Sequence, residues 1–349
     1  MHFDTNKISG RSILQQGQEN LYFGGTAYLG LDVHTGFRGI LMEGFSRYGH
    51  YFGASRLGNL RLDIYDQFER FFAELMYSED SLVVSSGTLA AQLFVQAYSK
   101  DMPRFYVKGT HPCLYQPEGN IFLEADQHGA AVINAHEGPV TIFCNAVDPL
   151  FCQPIDFEWL HDTDPTKEIT LVVDASHAFG VADQLLYELK TKIAQLYHIK
   201  LVLLGSLGKA YSLPAGIILA DRNIIDTLKG NPLFGGSSPA APGFLHAFIH
   251  AMDIIRQQQS LLSTNLKQIT KESIIQNHFQ TLKDYPVFAG KKEAMAAYLQ
   301  QNNIVISSFH YPTATSPLLN RIVINATHTA SDLDYLMEKL EEMEKVKSD

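Results

Sequence analysis

The sequence predicts an α/β fold: a mostly parallel sheet covered by helices, with a smaller α+β unit beside it. Two observations carry this. Short apolar runs recur through the middle of the chain, at Leu82-Val83-Val84, Phe105-Tyr106-Val107, Val140-Thr141-Ile142-Phe143, Leu171-Val172-Val173, Leu201-Val202-Leu203-Leu204 and Ile217-Ile218-Leu219. Most are continuous rather than alternating, the pattern of strands buried on both faces. On periodicity alone a run this short also suits a buried helix segment. Helical stretches lie among them. Leu62 to Tyr77 repeats Ile64, Phe68, Phe71, Phe72, Leu75 and Met76 at helical spacing, and Leu89 to Tyr98 reads as a second helix.

The character changes after Asn231. Gly235-Gly236-Ser237-Ser238 predicts a loop, and Ala241 to about Phe279 predicts one or more long helices. The remainder reads strand, helix, strand, strand, helix. Ser331-x-x-Asp334 predicts the cap of that last helix. The expected organisation is therefore an N-terminal segment (1–55) packed with the C-terminal unit, a large cofactor-sized domain (56–240) and a small domain (241–349).

The chain has 349 residues, 46% of them hydrophobic, enough for a large core. Its formal charge of −10, with no basic stripe, argues against nucleic acid as a partner. Cys113, Cys144 and Cys152 form neither a disulfide framework nor a paired zinc motif, and they read as packing residues. No run reaches the ~18 apolar residues of a membrane span. Met1 to Gln18 has no signal-peptide core. A reducing cytoplasm is the expected location. Glu19-Asn20-Leu21-Tyr22-Phe23 resembles a protease-tag site but lacks its Gln, so it is read as native.

Four features fall at the ends of expected strands, where α/β folds place their ligands. Ser86-Gly87-Thr88 joins a strand to a helix, whose free N–H groups and dipole suit a phosphate. An ordinary N-cap is the plain alternative. Asp174 ends a strand and can keep a pyridine-type ring nitrogen protonated. With His177 alone it offers too few ligands for a metal, and none is expected. Lys209, in Gly205-Ser206-Leu207-Gly208-Lys209-Ala210, sits among small residues after a strand. Partial desolvation there would make its amine nucleophilic toward carbonyls; a solvated loop lysine is the alternative. The fourth feature is the region of Asn145. No Walker loop or GxGxxG fingerprint is present.

In this order the residues resemble the fold-type I enzymes that use pyridoxal 5′-phosphate (PLP), and among them the α-oxoamine synthases. The likeness runs from about Tyr28 to the C-terminal helix. Tyr28-Leu29-Gly30-Leu31 resembles an early family segment, and Ser55-Arg56 a family Ser-Arg pair. The resemblance implies an aspartate-aminotransferase-like fold with a seven-stranded sheet, and an active site shared by a homodimer. It gives Ser86, Gly87, Thr88 and Ser206 to the cofactor phosphate, with Ser237 and Ser238 reaching it in the partner subunit. His111 would stack on the ring and Asn145 would lie beside it. In Asp174-Ala175-Ser176-His177 the family has Asp-Glu-Ala-His; Asp174 would meet the ring nitrogen and His177 the ring hydroxyl. Lys209 would form the Schiff base. Arg321 would bind a substrate carboxylate, a group its fork matches. Thr26 stands where the family has a substrate-contacting Asn. The implied reaction joins an amino acid to an acyl-CoA. A PLP aminotransferase or lyase, or a PLP-fold binding protein without turnover, are the alternatives.

Overall fold

The computed structural model describes residues 5–345 apart from 6, 16, 149, 151, 154, 291, 311, 312 and 314. A three-strand hairpin array opens the chain: β1 (Lys7–Ile8), β2 (Ser12–Gln15) and β3 (Gln18–Phe23). The central strands are β4 (Asp80–Val84), β5 (Arg104–Val107), β6 (Asn120–Leu123), β7 (Val140–Asn145), β8 (Ile169–Asp174), β9 (Ile199–Ser206) and β10 (Gly216–Ala220). The last four are β11 (Phe279–Gln280), β12 (Val287–Gly290), β13 (Ile304–His310) and β14 (Leu318–Val323).

The central strands form one seven-stranded sheet in the order β4-β10-β9-β8-β7-β5-β6. All neighbours pair in parallel except at β10, which is antiparallel to both β4 and β9. All six apolar runs singled out above are strands of this sheet. Strands β7 and β8 are buried along their whole length, which is why they read as continuous rather than alternating. A second sheet has the order β1-β2-β3-β13-β14-β12-β11. The Glu19–Phe23 stretch therefore lies inside a sheet strand: β3 pairs with both β2 and β13, and Phe23 stacks on His328 at 4.2 Å.

Among the described residues no helix is long and apolar enough to cross a membrane. Helices Asp63–Leu75 and Gly87–Ala97 occupy the two expected helical stretches. An aromatic cluster closes the first onto the C-terminal helices: Phe248 lies 5.5 Å from Phe68, 5.6 Å from Phe72 and 4.9 Å from Tyr211. Two local expectations need correction. Gly235 and Gly236 end a short helix, Pro232–Gly236, rather than opening a loop; Asn231 caps it and Pro232 presets its first turn. The last helix, Ala330–Lys345, is capped two residues earlier than expected. Thr329 and Asp332 bond reciprocally: the Thr329 N–H donates to Asp332 Oδ2 at 2.8 Å, and the Asp332 N–H to Thr329 Oγ1 at 3.3 Å. Asp334 instead accepts from Gln268 at 2.7 Å.

Arg56 and Glu69 form a nearly buried pair, 11% and 6% exposed, with N–O distances of 2.5 and 3.0 Å. Glu69 Oε1 also accepts the Val83 N–H at 2.8 Å, and Arg56 reaches Val83 O at 3.2 Å. The pair thereby pins helix Asp63–Leu75 to β4, the strand that leads into Ser86. Arg56→Met would leave Glu69 uncompensated. The expected loss is about 3–5 kcal/mol of unfolding free energy, read as a lower denaturant midpoint.

His328 is held neutral. It accepts the Asn325 N–H at Nδ1 (3.0 Å) and donates from Nε2 to Tyr22 O (3.0 Å). Burial pushes its pKa from 6.5 down to about 4. Below pH 6.5 the unfolded chain therefore binds a proton that the folded chain refuses, so stability falls as pH drops from 6.5 toward 4. The slope for this one group approaches about 1.4 kcal/mol per pH unit. Denaturation curves of His328→Gln should be flatter than wild type across that window.

Candidate active site

The parallel register puts several strand ends on one rim. Asn145 pairs with Asp174, and Asp174 with Leu204, so β7 and β8 finish level with each other and β9 runs two residues further, to Ser206. Strand β4 runs parallel to β9, two pairings away across β10, and delivers Ser86 to the same rim. A cleft of about 240 Å³ opens there. Ser86, Gly87, Thr88, His111, Asn145, Asp174, His177, Ser206 and Lys209, all expected from the sequence, line it together with Cys113, Val147 and Ser176.

Each side chain is placed by its local backbone. Ser86 caps helix Gly87–Ala97 by accepting the Leu89 N–H at 3.1 Å. The helix's first-turn N–H groups have no intrahelical partner, and Gly87 and Thr88 line the cleft. Ser86 is thus both the helix cap and part of the cleft wall. Packing here is too tight for side chains on the glycines. A Cβ on Gly87 would lie 2.7 Å from the Ser206 backbone nitrogen, and one on Gly216 would lie 2.1 Å from the Ser86 carbonyl oxygen. Ser206 Oγ accepts the Gly208 N–H at 3.1 Å, and its own N–H donates to Ser176 Oγ at 2.8 Å.

Lys209 rides on a folded-back loop. The Leu207 N–H bonds Ala215 O at 2.9 Å and the Leu213 N–H bonds Leu207 O at 3.0 Å. Leu207, Tyr211 and Leu213 are buried as anchors, and Lys209 points the other way, into the cleft. Burial lowers the affinity of its amine for a proton; Asp174 and Cys113 oppose that. Asp174 is nearly buried and accepts the Ser176 N–H at Oδ1 (2.9 Å). Asn145 uses its amide on the loop opposite: Oδ1 accepts the His111 N–H (3.2 Å) and Nδ2 donates to Gly109 O (2.7 Å). It therefore positions His111, which stands exposed at the rim.

His177 meets Tyr28 Oη at Nδ1, 3.0 Å away, while Tyr285 donates to its carbonyl at 3.1 Å. Burial, with the positive charges of Lys209 and Arg321, holds its pKa well below the ordinary value.

Four expected residues do not line the cleft in the single chain. Ser237 Oγ donates to Leu233 O at 2.6 Å, and Ser238 Oγ lies 3.1 Å from Tyr51 Oη. Thr26 belongs to the approach to Tyr28, whose N–H it accepts at 2.9 Å. Arg321 sits on β14 with its guanidinium 4.9 Å from the Phe309 ring; its charge bears on His177 and Tyr28. Conversely, sequence reasoning passed over Cys113 and Ser176. Cys113 was read as packing, although its place two residues after His111 on one tight turn carries it to the same cleft.

These residues fit PLP. A helix N-terminus crowded by Ser206 suits the phosphate, a nearly buried carboxylate suits the ring nitrogen, and a lysine that binds its proton weakly suits the aldehyde. The fold is that of the PLP-dependent transferases. Over 99% of this chain and 92% of the other, it superposes on a serine palmitoyltransferase from S. paucimobilis solved with PLP and myriocin, at TM-score 0.82 and 12% identity. It likewise matches 8-amino-7-oxononanoate synthase from Francisella tularensis at TM-score 0.73 and 19% identity, over 95% of this chain and 99% of that one. The chain belongs to the aminotransferase class I and II family, whose model matches residues 156–340. Similar sequences include the 8-amino-7-oxononanoate synthases of Nitrosomonas eutropha (23% identical, 94% of this chain and 90% of the relative) and Bordetella petrii (25%, 94% and 89%).

Gly87→Ala tests the phosphate cradle. The new methyl must push Ser206 away, so affinity for PLP should fall about tenfold or more, ~1.4 kcal/mol, in a spectrophotometric titration. Unchanged affinity would place the phosphate elsewhere.

Proposed function

We propose that this protein is a PLP-dependent acyltransferase of the α-oxoamine synthase kind, joining an amino acid to an acyl thioester such as an acyl-CoA. The observation that carries the reading is the convergence of Lys209, Asp174 and the Gly87 helix N-terminus on one cleft. In the balanced reaction a new carbon–carbon bond forms between the amino acid α-carbon and the acyl carbon. The carbon–sulfur bond of the thioester and the bond to the carboxylate break. One proton is taken up; an amino ketone, carbon dioxide and a free thiol leave.

When bound, PLP supplies an aldehyde to hold the amino acid and a protonated ring that accepts the electron pair freed at its α-carbon. The chain's own groups do the rest. Ser86, Gly87, Thr88 and Ser206 hold the phosphate. Asp174 would keep the proton on the ring nitrogen, and His111, its loop fixed by Asn145, would lie against the ring. Lys209 Nζ is the group that would hold the aldehyde, and its amine, when free, would take the substrate's α-proton. Its weakened hold on a proton suits that task. Arg321 receives the substrate carboxylate, and Thr26 lies at the substrate's approach.

The working form in this reading is a homodimer. Tyr51, Leu57 and Leu60 are 55%, 52% and 63% exposed on the irregular stretch beside Ser238. A partner covering them would also bring Ser237 and Ser238 toward the second cleft. All three cysteines are free thiols, which supports a cytoplasmic setting.

The same scaffold supports transamination, and the family description favours it as the second reading. Incubating the PLP-loaded chain with panels of amino acids and acyl-CoA separates the two. Thiol release that requires both substrates, and that Lys209→Ala abolishes, is expected. Keto-acid formation without thiol release would establish transamination instead.

A further inference from the structure

Tyr28 and Tyr285 bracket His177 from the C-terminal side of the molecule. Tyr28 is fully buried, and its carbonyl accepts the Ala326 N–H at 2.9 Å, which ties it to the end of the second sheet. Its hydroxyl lies 3.0 Å from His177 Nδ1. A buried phenol needs an acceptor for its proton. The Tyr28 hydroxyl bonds both the Tyr285 hydroxyl and the imidazole nitrogen. Burial raises the Tyr28 pKa and the bond with Tyr285 lowers it, so Tyr285 acts there as donor and the imidazole is left to accept the Tyr28 proton. Tyr285 spends no proton on the ring: its hydroxyl is directed to the Tyr28 hydroxyl and to the His177 carbonyl, 3.1 Å away. Burial keeps the Tyr28 phenol protonated, with a pKa pushed up to about 12, and keeps the imidazole neutral. With Nδ1 accepting, the ring's only proton sits on Nε2.

We propose that Tyr28 is a positioning residue that locks His177 in the Nε2–H tautomer, so that the imidazole presents a hydrogen-bond donor to the cleft. This deepens the PLP reading and rests on it for its purpose: the Nε2–H would donate to the ring hydroxyl oxygen of the cofactor and favour its ionised form. The opposite tautomer would present a lone pair and favour the protonated form. The lock is also a link between the two sheets. The residue that sets the donor belongs to the N-terminal segment and is bonded to Ala326, while His177 belongs to the loop after β8.

The tautomer can be measured without the cofactor. In the cofactor-free full chain, the ¹⁵N shifts of the His177 ring nitrogens should show a protonated Nε2 and an unprotonated Nδ1. Tyr28→Phe, which keeps the buried ring, should give a mixture of tautomers, whereas Tyr285→Phe should leave Nε2–H dominant. An Nδ1–H tautomer in the wild type, or no change in Tyr28→Phe, would overturn the proposal. In the loaded chain Tyr28→Phe should raise the PLP dissociation constant about tenfold, the loss of one well-aligned bond to a charged oxygen. A wild-type constant in that variant would likewise overturn it. Failure of the PLP reading would show separately, as absence of any cofactor adduct on Lys209, with the ring-nitrogen shifts still readable.

Discussion

The cleft depends on the register of three parallel strands. Asn145, Asp174 and Leu204 are cross-strand neighbours, so Ala146 and Ala175 leave the sheet at one level, while β9 runs on beside β10 to Ser206. A slip of one residue in β8 would turn Asp174 to the other face of the sheet and break the set. Burial on both faces makes such a slip costly, because it would move Leu171 and Val173 as well. The apolar strands therefore hold the polar chemistry in place, although none of their apolar side chains takes part in it.

Close backbone approach does the remaining alignment. Gly87 and Gly216 let the Ser86 turn sit directly against Ser206, and Ser176 Oγ joins the ends of β8 and β9 through the Ser206 N–H. On the other side, Arg56 and Glu69 fix β4 to its helix, which anchors the strand that leads into the Ser86 turn. Lys209 projects from a loop anchored by Leu207, Tyr211 and Leu213, and Tyr211 is itself packed on Phe248. Its position is thereby tied to the aromatic core rather than to solvent-exposed contacts.

Much of this was legible in the sequence because it is local. Buried strands show as continuous apolar runs, and Asp174, His177, Ser206 and Lys209 follow such runs at short intervals. What was not legible has physical causes. The first N-terminal strand is two residues long and exposed, and β6, although it carries Ile121-Phe122-Leu123, lies at the sheet edge with Ile121 and Phe122 exposed rather than buried on both faces. The final helix offered two polar pairs of equal spacing, Thr329 with Asp332 and Ser331 with Asp334. Asp332 also receives Arg11 from the distant N-terminus, a contact that spacing does not reveal. Tyr28 and His177 are 149 positions apart. Cys113 looks like a core thiol until the turn that carries His111 is folded.

The account stands on Lys209 bonding the cofactor aldehyde in this cleft. The most direct measurement is the visible spectrum of the purified chain with PLP, before and after borohydride, followed by peptide mapping. A yellow band that borohydride bleaches, and a single reduced adduct on the Lys209 Nζ, are expected. A chain that stays colourless with PLP, or an adduct on another lysine, would contradict it.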